Sequence, residues 1–84
     1  MRVIFKYPLD IADSFDVLIP PFKPFCVQLQ NGIPYLWAET VVSAQPERKR
    51  FFCVGTGNPV PNEAYTYVGT VQMPPFVWHF YMEK

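Results

Sequence analysis

The strongest hint of chemistry in this 84-residue sequence is the segment 54–60, which reads VGTGNPV. A glycine, a threonine and a second glycine after an apolar run open many phosphate-binding loops. In those loops, backbone donors at the start of a helix converge on the anion. Here Pro59 and Pro61 follow, which removes their backbone donors and keeps the chain extended. The segment therefore predicts a rigid connection between strands, in which Gly55 and Gly57 adopt unusual backbone angles, and the alternative is a recognition loop.

Other residues that could support catalysis are few and separated. His79 is the single histidine, so no histidine pair can hold zinc, and Cys26 and Cys53 are too far apart in sequence for a zinc knuckle. A Cys–His nucleophile pair would need an orienting acid, and none is evident. The seven acidic residues are scattered, with no two at a spacing that demands acid–base chemistry. We therefore expect no enzymatic activity, no cofactor and no metal site.

Length and composition predict a single domain, residues 1–84, with a surplus of aromatic side chains. A domain of this size buries only about 60–65% of its unfolded surface, so it needs dense aromatic packing or a partner subunit. Aromatic residues make up 18% of the chain and charged residues 17%. This balance favours buried contact area, including contact with partners. We therefore expect a homo-oligomer.

The chain carries no feature of a secreted or membrane protein. No signal peptide opens it, and no apolar run approaches the ~20 residues that span a bilayer. The two cysteines lie in apolar runs, unlike those of a disulfide scaffold. These features predict a reduced, soluble protein of the cytoplasm with no membrane contact.

The charge pattern gives little attraction for nucleic acid. The net charge is zero, with seven basic and seven acidic residues. The segment Glu47–Arg50 concentrates several cations, and Arg48 and Arg50 could contact phosphates. The plainer interpretation is a solvated hairpin connection that protects a strand edge. An aromatic platform for base stacking would lack the positive groove that single strands require, so we expect no nucleic-acid partner.

Proline spacing and alternation predict an all-β fold. Ten prolines are spread along nearly the whole chain and leave almost no room for long helices. The segments between them are rich in β-branched and aromatic residues, which is typical of short strands. We expect strands at 2–7, 15–19, 25–30, 33–42, 50–54, 65–73 and 76–82. Six to seven short antiparallel strands indicate a small compact barrel or a two-sheet sandwich, and Gly69 within a strand indicates a β-bulge or a close backbone approach.

The clearest local signal is Asn31-Gly32 between two alternating runs. This pair favours a type I′ turn, because both central residues need positive φ. A two-residue turn fixes the register and pairs Gln30 with Ile33, Val27 with Leu36, and Phe25 with Ala38. These pairs form one apolar face of the hairpin. The opposite face is mixed polar and aromatic and consists of Cys26, Gln28, Gln30, Tyr35 and Trp37. The sequence leaves open which of the two faces is exposed.

Three groups of residues are candidate binding sites. They are Gln28, Tyr35 and Trp37 on the hairpin, Thr56, Gly57, Asn58 and Pro59 in the glycine loop, and Arg48 with Arg50 in the basic segment.

Several motifs together resemble one family. The strings VQLQNGIPYLWAETV, GTGNPVP, YVGTVQ and VWHFYMEK, with the opening Lys6–Leu9 strand, resemble a family of short uncharacterised proteins encoded by bacteriophages and prophages. The similarity covers nearly the whole chain and implies no established activity. It implies a small accessory protein of the host cell cytoplasm that binds a host protein and blocks it, for example a component of a defence system.

Two functions remain open from the sequence. The first is a non-enzymatic protein that binds another protein through the face around Tyr35 and Trp37 or through the proline-rich loop. The second is a protein that binds or sequesters a small ligand, such as a nucleotide signal, in a pocket between subunits. That pocket would be built from the glycine loop and nearby aromatic residues.

Overall fold

The computed structural model describes residues 1–84 as two antiparallel sheets without a helix. Seven strands are present: β1 (Arg2–Pro8), β2 (Ser14–Ile19), β3 (Phe22–Gln30), β4 (Ile33–Val41), β5 (Glu47–Gly55), β6 (Thr66–Met73) and β7 (Phe76–Met82). The first sheet has the order β1-β4-β3 and the second has the order β2-β5-β7-β6. The all-β prediction and the sandwich alternative are confirmed. The two sheets stay separate, with no ladder that closes them into a barrel.

The β3–β4 hairpin forms as the sequence predicts near its turn. Asn31 and Gly32 both adopt positive φ, at 53° and 78°. Gln30 faces Ile33 and Val27 faces Leu36, which confirms the register over this stretch.

The prediction that Phe25 faces Ala38 is wrong. A β-bulge shifts the register between Pro24 and Cys26, so Pro24 faces Ala38 instead. Phe25 is the extra residue of the bulge and is 47% exposed. Because proline has no donor for the ladder, a bulge beside Pro24 interrupts the pairing at little cost.

The basic segment Glu47–Arg50 is not the hairpin connection that the sequence suggests. It forms the first half of β5 and pairs with β2, with Arg48 opposite Leu18 and Arg50 opposite Asp16. The turn lies upstream, because β4 ends at Val41. Arg48 and Arg50 alternate onto the outward face of the sheet, where both are exposed.

β3 lies close to both edge strands of the second sheet. At its start, only Pro20 and Pro21 separate it from β2, an edge strand. Farther along, Val27 contacts Gly69 of β6, the opposite edge strand. Four strands span about 14 Å, and the five steps from Phe22 to Val27 span about 17 Å. The stretch from Phe22 to Val27 is therefore long enough to reach from one edge of the second sheet to the other.

The core is built from aromatic and aliphatic side chains between the sheets. Phe51 and Phe80 are fully buried, as is Leu36 from the other sheet. Phe15 stacks on Phe51 with ring centroids 5.9 Å apart. Thr40, the one buried polar side chain, donates a hydrogen bond to the carbonyl of Val3. No helix is present that could cross a lipid bilayer.

The connection 56–65 covers part of the outer face of the second sheet. β5 and β6 both run antiparallel to β7, so the chain must return along the sheet between them. Phe52 and Val54 point away from the core, yet they are only 5% and 7% exposed. Val54 lines the same cavity as Pro59, and Phe52 the same cleft as Glu63. The connection therefore shields this face, whereas the outer face of the first sheet has no such cover.

Candidate functional site

The outer face of the three-stranded sheet brings polar and aromatic side chains from three strands together. Cross-strand pairs place Lys6, Trp37 and Cys26 in one row, and Tyr35 beside Gln28 in the next. Leu36, Ala38 and Thr40 point to the opposite, buried side. We call the outward set the aromatic face: Lys6, Cys26, Gln28, Gln30, Tyr35 and Trp37. The sequence leaves open which face of the hairpin is exposed, and in the structure it is the mixed polar and aromatic face.

Lys6 lies at the centre of the aromatic face and contacts its neighbours there. Its Nζ atom lies 4.7 Å from the ring centroid of Tyr35 and 5.9 Å from that of Trp37. The same ammonium donates a hydrogen bond to the side chain of Gln30. A cation over an exposed aromatic ring contributes about 0.5–1 kcal/mol. These contacts hold both rings and place a positive charge among them.

Charged residues at the rim make this side of the molecule mildly basic. Arg2 and Glu39 form a surface ion pair at 3.4 Å. Lys23 also lies opposite Glu39, on the neighbouring strand. Together with Lys6, the outer face of this sheet carries three cations and one carboxylate, although the whole chain is neutral. An acidic partner surface would complement this arrangement.

The glycine loop forms a tight turn at the end of β5. Thr56 donates its N–H to the carbonyl of Val77 at 3.2 Å, which extends the ladder by one residue. Asn58 then donates to Gly55 at 3.1 Å, and Gly57 has a φ of 92°. Only glycine adopts that angle without strain. The loop is thus a strand-end turn, with no helix behind it.

His79 links this turn to the edge strand β6. Its Nε2 atom lies 2.7 Å from the hydroxyl of Thr56, and its Nδ1 atom lies 2.9 Å from the hydroxyl of Thr70. Tyr67 is hydrogen-bonded to Thr70 in turn. Hydroxyls donate or accept as required, so they satisfy both ring nitrogens. The arrangement ties β5, β6 and β7 together on the outer face.

A shallow cleft lies where the turn meets Trp78. It has a volume of about 310 Å³ and is lined by Gly55, Thr56, Asn58, Pro75, Phe76, Val77 and Trp78. Phe76 stacks on Trp78 at 5.4 Å and is 57% exposed. The cleft reaches the lower end of the volume range of small-ligand sites, with an aromatic wall.

Arg48 and Arg50 lie in a cleft that is mainly acidic. Arg50 forms an ion pair with Asp16 at 2.9 Å, and this hydrogen bond to the carboxylate raises the pKa of Arg50. Glu83 accepts the backbone N–H of Arg50, and Glu63 lines the same cleft. Three carboxylates against two guanidinium groups do not form a phosphate site.

The two cysteines are free and differ in burial. Cys53 is buried within β5, and burial raises the pKa of its thiol to about 11, with a further increase from the Asp13 carboxylate. A protonated thiol is a poor nucleophile at neutral pH. Cys26 is half-buried on the aromatic face. No three His, Cys, Asp or Glu side chains cluster so that they could hold a metal ion.

Comparison with known proteins places the chain in a family. The family model described as "Domain of unknown function (DUF7352)" matches residues 1–84. The chain belongs to this family. No curated protein and no solved structure matches it. Membership in an uncharacterised family is therefore confirmed, over the full span of both sheets.

In this DUF7352 chain, the three groups of predicted site residues lie in three places. Gln28, Tyr35 and Trp37 meet on the aromatic face. The turn from Thr56 to Pro59 and the pair Arg48 and Arg50 belong to the second sheet, whose outer face points the other way. Sequence reasoning missed Lys6, because only the pairing of β1 with β4 brings it to the rings.

Proposed function

We propose that this protein is a non-enzymatic interaction protein that binds a partner protein through the aromatic face. The observation that carries the proposal is the position of Tyr35 and Trp37, which point outward from an uncovered sheet around the Lys6 ammonium. Tyrosine and tryptophan dominate binding energy at protein interfaces, because they bury a large area with little loss of side-chain entropy.

Rigidity of the face supports the same proposal. Tyr35 and Trp37 are on β4, which is paired on both sides, so binding requires little ordering. Gln28 and Gln30 supply exposed hydrogen-bonding groups on the adjacent strand. Arg2 and Lys23 add positive charge at the rim. The partner that fits this surface best is flat and acidic.

The resemblance to phage and prophage proteins gives the proposal a biological setting. It favours a host protein as the partner and the cytoplasm of the host cell as the place of action. Occupation of the partner surface would inhibit a host factor, such as a component of a defence system. No turnover is required for such inhibition, which agrees with the absence of a catalytic constellation in the sequence.

Capture from a bacterial lysate tests the proposal when the parent is compared with a variant of the aromatic face and a variant of the opposite face. The parent chain and Trp37→Ala are immobilised at equal density, and retained proteins are identified by mass and then purified for direct titration. The proposal predicts an acidic protein that binds the parent at least about tenfold more tightly than Trp37→Ala. Equal binding by a folded Trp37→Ala variant would contradict it. Gln72→Ala, on the outer face of the other sheet, is the matched control.

A second candidate function is the binding of a small planar ligand. The observation that favours it is the exposed Phe76 ring stacked on Trp78 beside the glycine turn. A base or another flat ring could stack on Phe76, and hydrogen-bonding groups of Thr56 and Asn58 lie in the same cleft. Closure of this shallow site by a second subunit would complete a pocket between copies.

Thermal shift separates the two functions. A nucleotide panel should raise the melting temperature of the parent if the cleft is the functional site, and Phe76→Ala should abolish the increase. Under the interaction proposal, no nucleotide of the panel raises the melting temperature. Trp37→Ala then weakens capture of the partner protein and has no effect on nucleotide binding.

A further inference from the structure

The edge strand β1 presents unpaired main-chain groups along one side. It pairs only with β4, so its other side is free. Just outside its ends, Met1 and Leu9 make main-chain hydrogen bonds toward β4. Because main-chain groups alternate along a strand, the odd-numbered residues face β4. Arg2, Ile4 and Lys6 therefore direct their N–H and C=O groups to the free side.

The centre of this edge is apolar and unprotected. Ile4 is 60% exposed on the outer side of the sheet, and Phe5 is 50% exposed on the inner side. The cations of β1 lean away from the edge: Lys6 toward Gln30, and Arg2 toward Glu39. Native edge strands usually carry a charge, a proline or a bulge at such a position. β1 has none of these at Ile4 and Phe5.

The other edge strands are shorter or disrupted. β3 carries Pro24 and the bulge at Phe25, and it packs closely on β6 at Gly69. β6 has its own bulge between Tyr67 and Gly69. β2 is only six residues long and ends at a proline pair. β1 is thus the one edge with a run free of proline and bulge at its centre, from Arg2 to Tyr7.

We propose that two copies of this chain pair antiparallel through β1, with the two-fold axis at Phe5, and join their three-stranded sheets into one continuous sheet. In this register, both main-chain groups of Ile4 bond with those of Lys6 of the second copy. Phe5 faces Phe5 of the second copy across a non-hydrogen-bonded pair, where side chains approach most closely. The contact covers the exposed apolar side chains at the centre of this edge, Ile4 and Phe5.

Repulsion between like charges favours the axis at Phe5 over an axis at Ile4 or Lys6. A two-fold axis at Ile4 would place Arg2 opposite Lys6 of the second copy, and an axis at Lys6 would place two lysines opposite each other. Like charges directly across a strand pair destabilise the pairing. The axis at Phe5 avoids both contacts and pairs an aliphatic residue with the stem of a lysine.

The proposed dimer has a consequence for binding, although it does not rest on the interaction proposal. A two-fold axis between antiparallel strands is perpendicular to the sheet, so both aromatic faces lie on the same side of the molecule. A partner with repeated copies of its own surface could then engage both faces, which raises the overall affinity without new contacts.

Disulfide trapping tests the register directly. In a Cys26→Ser/Cys53→Ala background, Phe5→Cys is compared with Ile4→Cys under mild oxidation. Residues facing in a non-hydrogen-bonded pair lie about 4.5 Å apart at Cα, within the range of a disulfide. We expect a covalent dimer for Phe5→Cys. Ile4→Cys should form little covalent dimer, because position 4 is diagonal to position 4 of the second copy. Equal trapping of both variants, or none at Phe5→Cys in a folded protein, would overturn the register.

The mass in solution tests the dimer with the native cysteines in place. The parent should have a mass of about 20 kDa, twice the chain mass of 9.8 kDa. Ile4→Pro removes a donor that points to the free side, so it should yield a monomer without loss of the β1–β4 ladder. Ile4→Thr keeps that donor and should remain a dimer. A monomeric parent at high concentration, or a dimeric Ile4→Pro, excludes the proposal.

Discussion

Gly69 of β6 lies directly against Val27 of β3, where the two sheets are in close contact. A Cβ atom at Gly69 would be 2.8 Å from Cβ of Val27 and 3.1 Å from its backbone nitrogen. Two of the nearest atoms, Cβ and N, are fixed by the backbone of β3, so rotation of the Val27 side chain cannot relieve the contact. The absence of a side chain at this position therefore sets the distance between β3 and β6.

Gly69→Ala should destabilise the domain by about 2 kcal/mol, because the added methyl group overpacks this contact. The measurement is urea unfolding of the parent and the variant. Gln72→Ala, an exposed position on the same strand, is the control and should change the free energy of unfolding by less than about 0.5 kcal/mol. Equal stabilities for Gly69→Ala and the parent would show that β3 and β6 are not in close contact.

The bulge in β3 predicts opposite outcomes for two neighbouring apolar residues. Val27→Ala should cost about 1–3 kcal/mol, because Val27 is 6% exposed within the core. Phe25→Ala should cost less than about 1 kcal/mol despite the larger side chain removed, since the bulge turns Phe25 toward solvent. Thermal unfolding of both variants checks the order. A greater loss for Phe25→Ala would mean that the regular hairpin register holds.

The raised pKa of Cys53 predicts a loss of stability at high pH. Below the ordinary value of 9.0, the thiol is protonated in the folded and unfolded chains alike. As the pH rises from 9.0 to about 11, the unfolded chain loses this proton first, so the free energy of unfolding falls. Cys53→Ala removes this contribution and leaves every other ionisable group of the chain in place. Its stability should therefore fall less steeply across the same interval, and parallel curves would exclude burial of the thiol.

The hydroxyl contacts of His79 should hold the glycine turn in place. His79→Phe removes the hydrogen bonds to Thr56 and Thr70 at similar ring size. We expect a loss of about 1 kcal/mol, because each contact is partly exposed. Amide hydrogen exchange should accelerate at 56–58, whereas exchange in β4 stays unchanged. Unchanged exchange at the turn would show that the Val77 hydrogen bond alone fixes it.

Local patterns in the sequence predict most of the fold, because turn chemistry and alternation act over short distances. Asn31-Gly32 fixes the hairpin register through backbone angles alone. Gly69 within a strand predicts a β-bulge or a close backbone approach, and the structure has both at this position. The bulge at Phe25 has no comparable signal, since Pro24 only permits it. The local sequence of Glu47–Arg50 suggests a turn. The segment forms a strand because it pairs with β2, and no local sequence pattern predicts that pairing.

The candidate site depends more strongly on contacts that are distant in sequence. The alternation in β4 predicts that Tyr35 and Trp37 share a face, but burial of the opposite face requires the second sheet. Lys6 reaches the two rings only through the pairing of β1 with β4, two strands that are distant in the chain. The distribution of charge depends on distant contacts as well: the whole chain is neutral, and strand pairing is what brings Arg2, Lys6 and Lys23 to one face of the first sheet.

Photo-crosslinking at the aromatic face tests the central claim most directly. A photoreactive phenylalanine analogue replaces Trp37 in one variant and Gln72, on the opposite side of the sandwich, in another. Both are irradiated with the partner identified by capture. The proposal predicts a covalent adduct from position 37 and none from position 72. An adduct from position 72 alone, with a folded position-37 variant that still binds and stays unlinked, would contradict it.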